Sequence, residues 1–233
     1  MHRVRPMWFI SGWGFNEQVF APLAEQLVPA GKKRLLNGNT LLSAGALEDL
    51  LDETAEPPVV VAWSMGGIRA IEAAAARPDS VAALVLISTT LKFCSDHEYL
   101  WGVPQANLRA MKLGIRKDPE TTLNAFGKQV CAPQTEEILP SQVLHTDTCD
   151  LGHGLDYLKA SDLRERKLNH MPPSLVYHGK KDNIISSNAG RMVSQKLNSA
   201  NFMRYNGIGH ALPLVQTMIL AANITFFLEK LHD

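Results

Sequence analysis

Six short apolar runs, at residues 7–11, 33–36, 59–63, 81–88, 174–178 and 201–205, recur along the chain, and most are rich in Val, Ile and Leu without polar alternation. A strand that is apolar on both faces must be covered on both faces, which is the situation of a parallel sheet between two layers of helices. The stretches between the runs carry the period of helices. Phe20, Leu23, Ala24 and Leu27 fall at i, i+3, i+4 and i+7, Ala189, Met192, Val193 and Lys196-Leu197 mark a second helix, and Val215, Met218, Ile219, Ala222 and Phe226 mark a C-terminal one. This alternation predicts an α/β fold, a mostly parallel, doubly wound sheet of about six strands. At 233 residues the chain can bury one sizeable core, so residues 1–233 are expected to form a single domain. Residues 91–163 break the alternation. They hold no clear strand but carry helical patterns at Leu108, Met111 and Ile115 and at Leu123, Phe126 and Val130, which predicts a helical lid inserted into the domain.

The third run ends in Ala62-Trp63-Ser64-Met65-Gly66-Gly67 and restarts as an alanine-rich helix. Strand, tight turn and helix around a serine flanked by small residues form the nucleophile elbow G-x-S-x-G, with Ala62 in place of the first glycine. A serine hydroxyl is a weak nucleophile until a base takes its proton and an acid orients that base. Asp182 follows the fifth run in Gly179-Lys180-Lys181-Asp182, and His210 follows the sixth in Asn206-Gly207-Ile208-Gly209-His210. Both positions lie where loops leave the carboxyl ends of parallel strands, so Ser64, Asp182 and His210 are the candidate catalytic triad. The developing oxyanion needs two N–H donors, expected from Met65, next to the nucleophile, and from Trp13 in the glycine loop Ser11-Gly12-Trp13-Gly14. Trp13 and Trp63 are expected to line the acyl pocket, although Trp63 serves equally well as buried sheet packing. This chemistry calls for no cofactor and no metal. Among the eight histidines, His2, His97, His170 and His232 read as solvated or locally bonded, and His178 as structural. The stretch LHTDTCDLGH can be drawn as a metal site, but its spacing matches no metal motif.

These residues resemble the α/β-hydrolase superfamily, and within it the carboxylesterases of biotin synthesis that demethylate pimeloyl-[acyl-carrier protein] methyl ester. The resemblance runs through Gly12-Trp13-Gly14-Phe15-Asn16, Trp63-Ser64-Met65-Gly66-Gly67, Gly154-Leu155-Asp156-Tyr157-Leu158-Lys159, Asp162-Leu163-Arg164, His178-Gly179-Lys180-Lys181-Asp182 and Gly209-His210-Ala211. It implies a serine esterase acting through an acyl-enzyme, and an acyl carrier protein as the partner that delivers the ester. Such enzymes meet the acidic carrier with basic residues of the lid, and here Arg109, Lys112 and Arg116 fall at i, i+3 and i+7, with Lys117 and Lys128 nearby. Three departures accompany the resemblance. Ser11 stands where the family has a histidine, Leu36-Asn37-Gly38-Asn39-Thr40 replaces an Asp-x-Pro-Gly-x-Gly turn, and the family's leading antiparallel hairpin is not expected, because residues 7–11 already lead into the glycine loop. A thioesterase, a hydrolase of small free esters, or a menaquinone-pathway lyase would use the same triad, and a non-catalytic receptor would keep the fold alone.

Composition narrows the partners. With 23 basic and 23 acidic side chains the chain lacks the charge excess of a protein that coats nucleic acid or an anionic membrane. The apolar run after the first two arginines is too short for a membrane span or a signal-peptide core. Three cysteines, Cys94, Cys131 and Cys149, at unrelated spacings do not form a disulfide framework, so a reducing cytoplasm is the expected compartment.

Overall fold

A computed structural model of the chain describes residues 5–27, 32–197 and 200–231. In chain order the elements are β1 (Met7–Ile10), α1 (Ala21–Gln26), β2 (Lys33–Leu36), α2 (Ala46–Asp52), β3 (Val59–Trp63), α3 (Met65–Ala76), β4 (Ala83–Ile87), α4 (Gln105–Lys117), α5 (Pro119–Cys131), α6 (Thr148–Ala160), β5 (Ser174–Gly179), α7 (Ser187–Lys196), β6 (Ala200–Tyr205), α8 (Leu212–Val215) and α9 (Thr217–Lys230). The six strands form one sheet in the order β2-β1-β3-β4-β5-β6, with every neighbouring pair parallel. The predicted doubly wound α/β sheet is therefore the fold of this chain. The strands match the apolar runs to within a residue or two at their ends.

Burial explains the missing alternation. All residues of β1, β3, β4 and β5 are buried, whereas the edge strands β2 and β6 expose part of theirs. Along β3, Val60 and Ala62 enter one core cluster with residues of α2, α3 and α7, while Val59, Val61 and Trp63 enter a second with residues of α1 and α9. Each strand thus feeds two cores at once, and each buried Val, Leu or Ile contributes about 1.5–3 kcal/mol of transfer free energy. Chain order reverses where β1 pairs with β3, with Ile10 opposite Ala62. This is the point at which open α/β sheets bind ligands beyond their carboxyl ends.

The C-terminal helix forms as expected, but the residues whose spacing marks it are not the ones it buries. Leu220, Ala221 and Ile224 are buried, whereas Met218 (76% exposed), Ile219 (49%) and Phe226 (58%) face outward, and Val215 belongs to the preceding α8. The sequence of α9 is apolar on both faces, so periodicity alone cannot choose between them. Contact with α1 and α8 makes the choice.

Between β4 and β5 the described residues hold α4, α5 and α6 and no strand, only isolated bridges. Local sequence accounts for the helix starts. Asp118 caps α5 by accepting the Thr121 N–H, with Pro119 at the first turn, and Asp147 caps α6 by accepting the Cys149 and Asp150 N–H groups. An antiparallel bridge between Lys92 and Asp162 closes the base of this segment, where the Lys92 ammonium also pairs with Asp96. No helix among the described residues is long and apolar enough to cross a membrane.

Candidate active site

Ser64 occupies the one-residue turn between β3 and α3. Its φ of 56° and ψ of −121° lie in a region that costs a side-chain-bearing residue about 1–3 kcal/mol, so the surroundings must impose it. They do so at both ends of the residue. The Ser64 N–H donates to the Ile87 carbonyl at 2.9 Å, and the Ser64 carbonyl accepts the Thr89 hydroxyl at 2.7 Å. Gly66 must lack a side chain, because a Cβ there would lie 2.5 Å from the Ser11 carbonyl oxygen and 2.6 Å from that of Ile10. The Ser64 side chain makes no capping bond to α3, and the residue remains 7% exposed. Ser64 is the residue at the N-terminus of a twelve-residue helix, the end at which developing negative charge is favoured.

Asp182 lies in the loop after β5, with its side chain fully buried. One carboxylate oxygen, Oδ1, accepts the N–H groups of Ile184 and Ile185, both at 2.8 Å. The other, Oδ2, is 2.7 Å from Nδ1 of His210 and 3.1 Å from Nε2 of His178. Burial alone would raise the carboxyl pKa, but the charge and hydrogen bond of His210 and the hydrogen bond of His178 prevail and hold it well below the usual carboxylate range. A carboxylate that stays ionised accepts a hydrogen bond from Nδ1–H of His210, which keeps the proton on Nδ1 and leaves Nε2 as the basic nitrogen. His210 is itself fixed from below: its ring lies 5.4 Å from that of Trp63, and its carbonyl accepts the Trp63 indole N–H at 3.0 Å. Trp63 is fully buried and packs on Phe15 as well, so it serves as support under the histidine.

The loop after β1 lies against the serine. A Cβ on Gly12 would stand 3.0 Å from Cβ of Ser64, so glycine is what lets this backbone approach. The N–H groups of Trp13 and Met65 donate to no protein acceptor among the described residues. The Trp13 side chain is buried, meets Phe126 edge-on at 4.9 Å and donates its indole N–H to the Leu151 carbonyl of α6. Beside it, a cleft of about 450 Å³ between α4, α5 and the Asp182 loop has Phe93, Met111, Phe126 and Ile184 in its lining, with polar groups from Asn107, Thr121, Thr122, Gln129 and Asn183.

Comparison with known proteins gives the family of this chain. The family described as serine aminopeptidase, S33 matches residues 44–214, which include Ser64, Asp182 and His210. The chain belongs to that α/β-hydrolase family. It is similar to the pimeloyl-[acyl-carrier protein] methyl ester esterase of Nitrosospira multiformis, with 29% identity over 198 residues covering 78% of this chain and 74% of the relative. The esterase of the same name from Xylella fastidiosa is 28% identical over 243 aligned positions, covering 95% of this chain and 94% of the relative. Among solved structures, an esterase from Exiguobacterium antarcticum superposes with a TM-score of 0.86 at 17% identity, over 98% of this chain and 93% of that one. The enol-lactonase from Burkholderia xenovorans superposes with a TM-score of 0.79 at 18% identity, over 97% and 92% of the two chains. The structures carry the fold, and family and relatives together make this chain a serine hydrolase of the esterase type.

The remaining predicted positions of this hydrolase divide. Arg109 and Arg116 are exposed on α4, with Leu113 between them 66% exposed, but Lys112 is engaged by Asp156 of α6 and Lys128 by Glu136. Of the histidines read as solvated, His97 and His170 are exposed, while His2 and His232 lie outside the described residues. The stretch read as a candidate metal site resolves into the cap of α6. Asp147 caps the helix, His145 bonds Asn37 and Asp150, and Cys149 meets His153 at 3.8 Å. His178, read as structural, touches the Asp182 carboxylate directly. Two polar groups were passed over in the sequence. Arg69 is a buried cation of α3 held by Glu48, Glu72 and the Leu41 carbonyl, with Tyr157 of α6 donating to Glu72. Asn39 is the second, and its only signal was that residues 37–40 differ from the turn that the resemblance implies.

Proposed function

We propose that the protein is a carboxylesterase that demethylates pimeloyl-[acyl-carrier protein] methyl ester through a Ser64-His210-Asp182 triad. The observation that carries the triad is the 2.7 Å contact between the buried Asp182 carboxylate and Nδ1 of His210, with Ser64 presented on a strained turn at the same end of the sheet. The Ser64 oxygen adds to the ester carbonyl as His210 Nε2 takes its proton, and the Asp182 carboxylate stabilises the imidazolium so formed. The N–H groups of Trp13 and Met65 bind the oxyanion, each such donor being worth about 10²–10³ in turnover. Collapse of the tetrahedral intermediate expels methanol, which takes the proton from His210. Water, activated by His210 in the same way, then releases the free acid and restores Ser64.

The carrier-bound substrate is supported by the names of the relatives and by the cleft of about 450 Å³, whose apolar side chains suit a medium-length acyl chain. Arg109 and Arg116, flanking Leu113 on the exposed face of α4, supply two cations for an acidic carrier, while Lys112 contributes to the fold through Asp156.

The test is mass spectrometry of the methyl ester of pimeloyl-acyl-carrier protein after incubation with native protein and with Ser64→Ala. Native protein is expected to remove 14 mass units, roughly the exchange of a methyl group for hydrogen, and Ser64→Ala to be slower by at least ~10⁴-fold at an unchanged melting temperature. Equal turnover by Ser64→Ala would remove this serine from the mechanism. An inert carrier ester, together with rapid Ser64-dependent cleavage of p-nitrophenyl butyrate, would keep the triad and discard the substrate.

A further inference from the structure

Ser11 and the turn at residues 37–40 converge on the loop beside the serine, where the side chains of Ser11 and Asn39 both donate to the Phe15 carbonyl. Asn39 lies in the short turn after β2 and is only 2% exposed. Its Oδ1 accepts the Gly14 N–H at 3.2 Å, and its Nδ2 donates to the Phe15 carbonyl at 2.8 Å and reaches the Gly12 carbonyl at 3.4 Å. The carboxamide orientation is fixed by these partners, since a flipped amide would set its oxygen against two carbonyls. One side chain thereby grips the loop on both sides of Trp13, whose own N–H has no protein acceptor among the described residues.

The grip is doubled. Ser11 Oγ donates to the same Phe15 carbonyl at 2.8 Å and accepts the Gly38 N–H at 3.0 Å. Asn37 Oδ1 accepts both the Asn39 N–H at 3.0 Å and the Asn39 Nδ2 at 2.9 Å, which locks the gripping residue in turn. Burying an amide is unfavourable unless its hydrogen bonds are remade, and here every polar atom of the Asn39 side chain is engaged. A plain fold brace has no need to converge on three of the four residues 12–15 beside the serine, with Gly14 held at a φ of +79°.

We infer that Asn39 is a positioning residue for the oxyanion hole, with Ser11 as its second latch: together they hold residues 12–15 so that the Trp13 N–H stands ready beside Ser64. This rests on the serine hydrolase reading above. It adds to that reading the device that keeps the donor in place before substrate arrives, because a donor that must reorganise during the reaction loses much of its worth.

The test uses Asn39→Asp, which keeps the shape but sets a carboxylate against the Gly12 and Phe15 carbonyls. Turnover of p-nitrophenyl butyrate is expected to fall by about 10–100-fold in kcat with KM within about twofold of native protein. The inhibition constant of a trifluoromethyl ketone, whose tetrahedral adduct places an oxyanion at the same donors, should rise by the same factor as kcat falls. A folded Asn39→Asp variant with native kcat, or one that loses kcat while the inhibition constant stays put, would overturn the inference. If Asn39→Asp does not fold, Ser11→Ala carries the test with the same two readouts and a smaller shift. Native protein without Ser64-dependent turnover would sink the hydrolase reading itself, whatever Asn39 does.

Discussion

Asp182 and Asn39 are both buried polar side chains whose oxygens and nitrogens are all engaged, one in the loop after β5 and the other in the turn after β2, on opposite sides of the β1–β3 pair. They hold the two halves of the candidate site by different means. Asp182 is charged, and three of its four partners, His178, Ile184 and Ile185, lie within four residues of it. Asn39 is neutral, and the loop that it grips is more than twenty residues away. The Asp182 loop is thus closed largely on itself, with His210, 28 residues along the chain, as its one distant partner. The oxyanion half exists only where β1 and β2 lie side by side. Hydrogen bonds to ionised groups contribute about 1.5–3 kcal/mol each against about 0.5–1.5 for neutral ones, so the two halves should also differ in what their loss does.

The largest expected effect tests the charged half. Asp182→Asn preserves shape but presents an amide to Nδ1 of His210, favouring the wrong tautomer, and kcat should fall by about 10⁴-fold as in other triads of this design. The same variant carries a pH signature. The native Asp182 carboxyl titrates below the usual range, whereas in the unfolded chain it titrates near ~4. Its contribution to stability is therefore complete above that value and is lost as pH falls through the native pKa. Thermal melts from pH 7 down to pH 3 should show native protein losing more stability than Asp182→Asn. Parallel curves would mean that the carboxylate is not held as an anion, and the contrast between the halves would break.

The next effect divides support from chemistry within the same half. His178 Nε2 faces two acceptors, the Asp182 carboxylate and the Ile185 carbonyl at 2.8 Å, so that nitrogen carries the proton and His178 is a donor to the loop. His178→Phe should cost about 2 kcal/mol of stability, in the range of a lost bond to a charged group, while kcat falls less than about tenfold because His210 keeps its own contact. Denaturant melts alongside kcat measurements check this. A loss of kcat as large as that of Asp182→Asn would make His178 part of the reacting set rather than its support.

What the sequence disclosed follows the same division. The strand-turn-helix around Ser64, and Asp182 and His210 just past their strands, were readable because each depends on local order: an apolar run, a small-residue turn, a loop. The sheet was readable because buried strands carry no alternation. Asn39 was not readable, since nothing in Asn37-Gly38-Asn39 says that β1 lies next to β2 and that a loop there lacks partners. The inward face of α9 was unreadable for a related reason. Met218, Ile219 and Phe226 are as apolar as Leu220 and Ile224, and only packing against α1 decides which set is buried. Lys112 had the spacing of a basic patch, but its ion pair is made with Asp156 on another helix.

The smallest expected effect sharpens the oxyanion half by separating side chain from backbone. The loop of residues 12–15 is also touched from the inserted segment, where the His145 N–H donates to the Gly14 carbonyl at 2.9 Å and Phe15 bridges Leu144. The His145 side chain extends this contact outward: its Nδ1 accepts from Asn37 Nδ2 at 3.1 Å, and its Nε2 donates to Asp150 at 3.1 Å. His145→Ala removes both side-chain bonds and leaves the backbone bond to Gly14 intact. Asn37 then loses an outer partner, but its Oδ1, the atom that steadies Asn39, is untouched. The variant should lose about 0.5–1.5 kcal/mol of stability, the worth of ordinary hydrogen bonds at a partly exposed site, and keep kcat within about threefold of native protein. A kcat loss approaching that of Asn39→Asp would shift the latch from the β2 turn to the inserted segment. Opening of that segment would then withdraw an oxyanion donor, and the rate would depend on its motion rather than on a loop fixed by the sheet.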